Sequence, residues 1–199
     1  APVAVQSLDL AGRLSGPGGL TASQSADLRS AVVDTTVRTA TLRSQGRSEI
    51  NAAVQADSST VAGGTLVLGA GGSLATDTLA LQGGATLATQ AAGQLVGRPA
   101  VVVDTGTLQL AGAEQVATLH MAGTLAGVGS LWVDQAATLA GASVLTGLSA
   151  DVLRSSGSSL LAAQVEARGS ATLAGGQLTL ADNGGLATPL LTLDAGTLA

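Results

Sequence analysis

The sequence predicts an all-β chain wound as a right-handed parallel β-helix of roughly ten rungs of 20–21 residues. Three observations carry this. Thr is followed directly by Leu about three times as often as composition alone would give, so a short local unit is reused along the chain. Glycine is frequent, 28 of 199 residues, and brackets these units. Phe and Tyr are absent and there is one Trp. That inventory suits a narrow core of stacked Leu, Val and Ala better than a β-sandwich, whose roughly 10 Å interior leans on aromatic rings.

The units can be taken in order. Gly63-Gly64-Thr65-Leu66-Val67-Leu68, Asp77-Thr78-Leu79-Ala80-Leu81-Gln82-Gly83-Gly84, Gly106-Thr107-Leu108-Gln109-Leu110-Ala111-Gly112 and Gly176-Gln177-Leu178-Thr179-Leu180 each alternate Leu with a small or polar residue. Period two puts Leu on one face of a strand and its neighbours on the other. The flanking glycines supply turn conformations without a Cβ clash. Helices are disfavoured by Thr and Val and by the recurrence of Gly. Hairpins would show repeated Asn-Gly or Asp-Gly loops, and only Asn183-Gly184 occurs. Leu meets Leu at separations of 20 and 21 modestly more often than chance, with the pairs at 21 between residues 66 and 131 and those at 20 mostly after 119. Parallel crossovers are almost always right-handed, which sets the expected hand. Residues 1–60 alternate with more Arg and Ser and fewer Gly. They read as more polar, less regular rungs of the same single segment, with regular Gly/Thr-Leu rungs over 61–199. The start Ala1-Pro2-Val3 reads as that of a fragment of a larger protein.

Composition narrows the chemistry. Charged residues are 11% of the chain, under half the usual share of about 25%. There is no Cys, no Lys and one His, which removes most nucleophiles, bases and metal ligands. No apolar run reaches the roughly 18 residues of a membrane-spanning helix. The net charge of −5 is divided between a slightly basic stretch over 1–50 and an acidic remainder. Without Lys or interleaved aromatics, phosphate neutralisation and base stacking lack their residues, so no nucleic-acid partner is expected. No enzyme activity, cofactor or metal site is expected either.

Individual residues were weighed against structural roles. His120, between Leu119 and Met121, reads as an outward or loop-proximal residue, and Glu114 nearby is weak support for a metal site. Asp77, Asp104 and Asp134, with Arg98 in the same region, are the acids a carbohydrate-active β-helix enzyme would cluster; as single residues they read as turn formers. Trp132 and Met121 could anchor a partner or plug a wide rung. Arg38, Arg43 and Arg47 alternate along what reads as one edge, where they could meet an anionic glycan or guard the edge against pairing. The possible partner contacts are therefore Arg38, Arg43, Arg47 and Trp132.

The stretches Leu10-Ala-Gly-Arg-Leu-Ser-Gly-Pro-Gly-Gly-Leu20 and Leu119-His-Met-Ala-Gly-Thr-Leu-Ala-Gly-Val-Gly-Ser-Leu131 resemble, in repeat style, the repeat region of the filamentous haemagglutinins. These are adhesins exported by two-partner secretion in Gram-negative bacteria, and the stalks of contact-dependent inhibition proteins are similar to them. The resemblance implies a parallel β-helix and a secreted or cell-surface location. It also implies an adhesive shaft whose partners are a host or bacterial surface glycan or protein, an outer-membrane transporter during export, and the rest of the parent β-helix. The alternatives are a polysaccharide lyase or hydrolase, an autotransporter passenger, or a crystal-binding face of ranked Thr.

Overall fold

A computed structural model describes residues 3–199, and among these every regular element is a β-strand. All pairings between strands are parallel, and the strands gather into sheets of 14 and 11. The 11-stranded sheet takes one strand from each turn of the chain, so the body is a solenoid of eleven rungs. At about 4.8 Å per rung it is about 50 Å long.

Each rung has three faces. A long strand such as Ser73–Gln82 supplies two of them: Leu74 and Thr76 point inward, Asp77 and Thr78 both point out, and Leu79 and Leu81 point inward again. This break in alternation is the first corner. It recurs as a register shift between Ala22 and Ser25, Val133 and Ala136, and Ala150 and Val152. In the sixth and seventh rungs the chain separates there into Gln94–Val96 and Ala100–Val103, then Ala113–Val116 and Thr118–Met121. The third face is the 11-stranded sheet. The second and third faces are paired through all eleven rungs. On the first face Gln94–Val96 pairs only backward and Ala113–Val116 only forward, so the ladder between them is missing.

Inward positions stack in columns. One on the third face runs Leu66, Leu87, Leu108, Leu125, Val144 and Leu161. One on the second runs Val61, Leu81, Val103, Met121 and Leu139. At about 25 cal/mol per Å² of apolar surface, each fully buried Leu contributes about 1.5–3 kcal/mol. The columns run into the last rung, where Leu191 and Leu193 stand exposed.

Rung length is not constant. Leu20, Val37 and Val54 are in register at intervals of 17 residues, as are Ser130 with Gly147 and Leu148 with Val165. Only the middle and last rungs reach the expected length, with Thr65, Thr86 and Thr107 in register at 21. The difference lies in the corners: Gly46 alone separates two strands of the third rung, whereas Gly83, Gly84 and Ala85 do so in the fifth. Residues 20–62, the stretch expected to be less regular, hold the constant 17-residue spacing.

Candidate binding face

The first corner collects charge. Asp57, Asp77, Arg98, Asp134, Asp151 and Arg168 occupy it on successive rungs, interrupted at Ala117. The bulge that turns the corner in the eighth rung, at Val133-Asp134, is gripped from both directions. Arg98 reaches from the sixth rung, Nη1 to Asp134 Oδ2 at 3.2 Å, while Gln115 Nε2 donates to Asp134 Oδ1 at 2.6 Å. Arg168 reaches back from the tenth rung, and its Nη2 donates to the Val133 carbonyl at 3.1 Å. This carbonyl lies where the bulge interrupts the ladder, so the guanidinium takes the place of a strand partner.

The same guanidinium lies over Trp132, its Cζ 3.9 Å from the ring centroid. A cation on the face of an indole is attracted by the ring quadrupole, by about 0.5–2 kcal/mol depending on desolvation. Trp132 is 43% exposed. It stands on the outer first face in a column with Gln115, Ser149 and Glu166. A depression of about 380 Å³ opens beside it, over Ser130, Gly147, Ser149, Gln164 and Glu166. Ser149 Oγ donates to Glu166 Oε2 at 3.3 Å.

The other candidates are dispersed. Arg38, Arg43 and Arg47 are all exposed but lie on the first, second and third faces of one rung, so the expected common edge does not exist. Three residues after a corner no longer share the face they would share on a straight strand. Asp77 and Asp134 lie on the first corner three rungs apart, and Asp104 is at the second corner, so these acids are not brought together. His120 is exposed on the second face between Val102 and Thr138. Glu114 points inward on the first face, away from His120, and is buried. Met121 is fully buried in its column.

The third face carries an outward column of Thr65, Thr86, Thr107 and Thr124, continued by Ser143. Next to it the outward residues are Val67, Ala88, Gln109 and Ala126, so the row of hydroxyls is one residue wide. Sequence reasoning singled out Trp132, Asp134 and Arg98 but not Arg168. Its partners lie 35 residues away, and only a 17-residue rung counted twice would have connected them.

No family model matches the chain, and no curated protein and no solved structure matches it.

Proposed function

We propose that this chain is a structural and adhesive shaft of a secreted or surface-displayed bacterial exoprotein, without catalysis of its own. The observation that carries the reading is the architecture: eleven rungs stacked along one axis, with ladder pairing unbroken on two of three faces. Such a body transmits position over about 50 Å at little cost in chemical side chains. The absence of Cys suits a chain that crosses an envelope unfolded through an outer-membrane transporter. The exposed Leu191 and Leu193 support a further rung of a parent β-helix, or a cap, stacking on the last one. Partners would be glycans or proteins of a host or neighbouring cell, met through the outer first face around Trp132.

The test is attachment. Beads coated with the purified chain are expected to bind cultured epithelial cells or bacteria more than beads coated with an unrelated β-solenoid. Equal binding would remove the adhesive reading. A second reading, a crystal-binding face, has the Thr65–Thr86–Thr107–Thr124 column in its favour. It predicts inhibition of ice recrystallisation by the chain and loss of that inhibition in Thr86→Val/Thr107→Val.

A further inference from the structure

The lone aromatic ring of this protein stands on the surface rather than in the core. Cores favour large rings because of the area they bury. Here the core columns are aliphatic throughout, and the indole instead stands over a paired sheet, its corner side covered by Arg168. Arg168 does not line the depression of about 380 Å³; Trp132 does, from the other side, where Ser130, Gly147 and Gln164 begin the same three strands. The ring is therefore a braced wall. Gly147 and Ser149, the smallest residues in their columns, leave the space beside it, and Gln164 and Glu166 stand at the far side of that space, two rungs away, about 9.6 Å.

From this geometry we infer that the trough beside Trp132 is a subsite for a neutral hexose unit of a glycan, with the pyranose ring stacked on the indole and its hydroxyls bonded to Gln164, Glu166 and Ser149. An indole face carries negative quadrupole density and attracts the C–H-bearing face of a sugar ring. The polar groups opposite match a polyol: the amide of Gln164 both donates and accepts, the Glu166 carboxylate accepts, and the Ser149 hydroxyl does either. A peptide strand fits less well. The strands Ser130–Ala140, Gly147–Ser156 and Gln164–Leu173 already pair with one another, so this face offers no free backbone edge. An acidic sugar is disfavoured by Glu166 in the trough and by Asp151 at the adjoining corner, while the Arg168 cation is engaged by Trp132 and Val133.

This inference deepens the adhesive reading and rests on it for its biological role, and the experiment separates the two. Trp132 is the sole Trp and there is no Tyr, so intrinsic fluorescence reports the trough alone. The chain would be titrated with cellohexaose, maltohexaose and chitohexaose, and with oligogalacturonate as the anionic arm. A saturable change in emission is expected with at least one neutral hexamer. Gly147→Leu is expected to weaken it at least tenfold: a Cβ at Gly147 would be in ordinary contact with Ser130 Cβ at 3.5 Å, so the side chain fills the trough without disturbing the strand. Far-UV circular dichroism identical to wild type checks the fold, and Glu166→Ala is a second variant expected to weaken binding. Absence of a saturable change with all three neutral hexamers, undiminished binding by Gly147→Leu, or preference for oligogalacturonate would each overturn the subsite. Bead attachment that persists in Gly147→Leu after oligosaccharide binding is lost would move cell adhesion to another surface. Oligosaccharide binding without cell attachment would leave the subsite and remove the adhesive shaft.

Discussion

The backbone N–H of Leu95 donates to Glu114 Oε2 at 2.9 Å, across the place where the first face has no ladder between its sixth and seventh rungs. Glu114 occupies a position that Leu131, Leu148 and Val165 fill in the following rungs, and it is 5% exposed. The carboxyl stands in for a missing strand. A buried N–H left without an acceptor costs about 1–3 kcal/mol, and the side chain supplies the acceptor.

Burial pushes the Glu114 carboxyl above the ordinary glutamate range, and the Leu95 N–H works against that rise. Between the ordinary value and the raised one, the folded state holds a proton that the unfolded state has lost. Stability therefore falls as pH rises through this window. Asp34 acts oppositely. The hydrogen bond from Asn51 lowers its carboxyl, burial opposes this, and Arg13 lowers it further, so its contribution is lost as pH falls through the lowered value. Glu114→Gln keeps an acceptor for Leu95 and removes the titration. Urea midpoints followed by circular dichroism are expected to decline with pH above the ordinary glutamate range in the wild type relative to Glu114→Gln, with the variant at least as stable at neutral pH. Glu114→Ala, with no acceptor, is expected to lose about 1–3 kcal/mol. A wild-type midpoint that climbs relative to Glu114→Gln across the window would contradict this account.

Arg168 serves Trp132 and the Val133 carbonyl together. Arg168→Ala is expected to cost about 1–2 kcal/mol and to shift Trp132 emission to the red as the ring gains water. Arg168→Lys should recover little, because an ammonium cannot lie flat on the indole while donating sideways to the carbonyl. Emission spectra and urea midpoints of both variants decide this. Unchanged emission in Arg168→Ala would show that the guanidinium does not brace the ring.

Much of this fold was legible in the Thr-Leu unit. At Thr65-Leu66, Thr86-Leu87, Thr107-Leu108 and Thr124-Leu125, Thr opens a third-face strand outward and Leu follows inward, so the dipeptide marks both phase and face. The 21-residue pairs Leu66/Leu87, Leu87/Leu108 and Leu74/Leu95 are true neighbours in the stack. Most later coincidences at 20 are not: Leu119 sits on Ala137 rather than Leu139, and Leu153 on Ala171 rather than Leu173. Two inward positions per face, two residues apart, let a Leu in one column pass for a Leu in the next. The 17-residue rung was hidden because its inward partners mix Ala, Ser, Val and Leu, as in Ala26, Leu42 and Ser59. Corners were equally invisible, and this misplaced Arg38, Arg43 and Arg47. The Trp132–Arg168 pair depends on both the rung length and the corner, so neither residue type nor spacing could announce it.

Ser44 is the in-facing residue between Leu28 and Val61 on the second face; its hydroxyl is buried and has no hydrogen-bond partner among the described residues. An unpaired buried hydroxyl costs about 1–3 kcal/mol, and Ala removes it with almost no change in volume. Ser44→Ala is expected to stabilise the chain by about 1 kcal/mol, raising the thermal midpoint by about 2–4 °C for a chain of this size. A lower midpoint would mean that the hydroxyl is satisfied in solution.

Stacked turns set the tolerance of individual glycines. Gly64 has φ +76°, and a Cβ there would run into the carbonyl oxygen of Gly46 in the rung before. Gly12 has φ +127° with nothing within 4 Å of its Cβ position. Gly12→Ala should therefore carry only a conformational cost, about 1–2 kcal/mol. Gly64→Ala carries a comparable cost and must also displace the Gly46 carbonyl, which accepts from Thr65 N–H at 2.7 Å. The Gly64 carbonyl in turn accepts from Thr86 N–H at 2.8 Å, so a shift at one turn is passed to the next. Side-by-side urea titrations are expected to place Gly64→Ala well below Gly12→Ala. Equal losses would mean that the turns relax independently and that the ladder, not the close stacking of glycine turns, holds the third face in register.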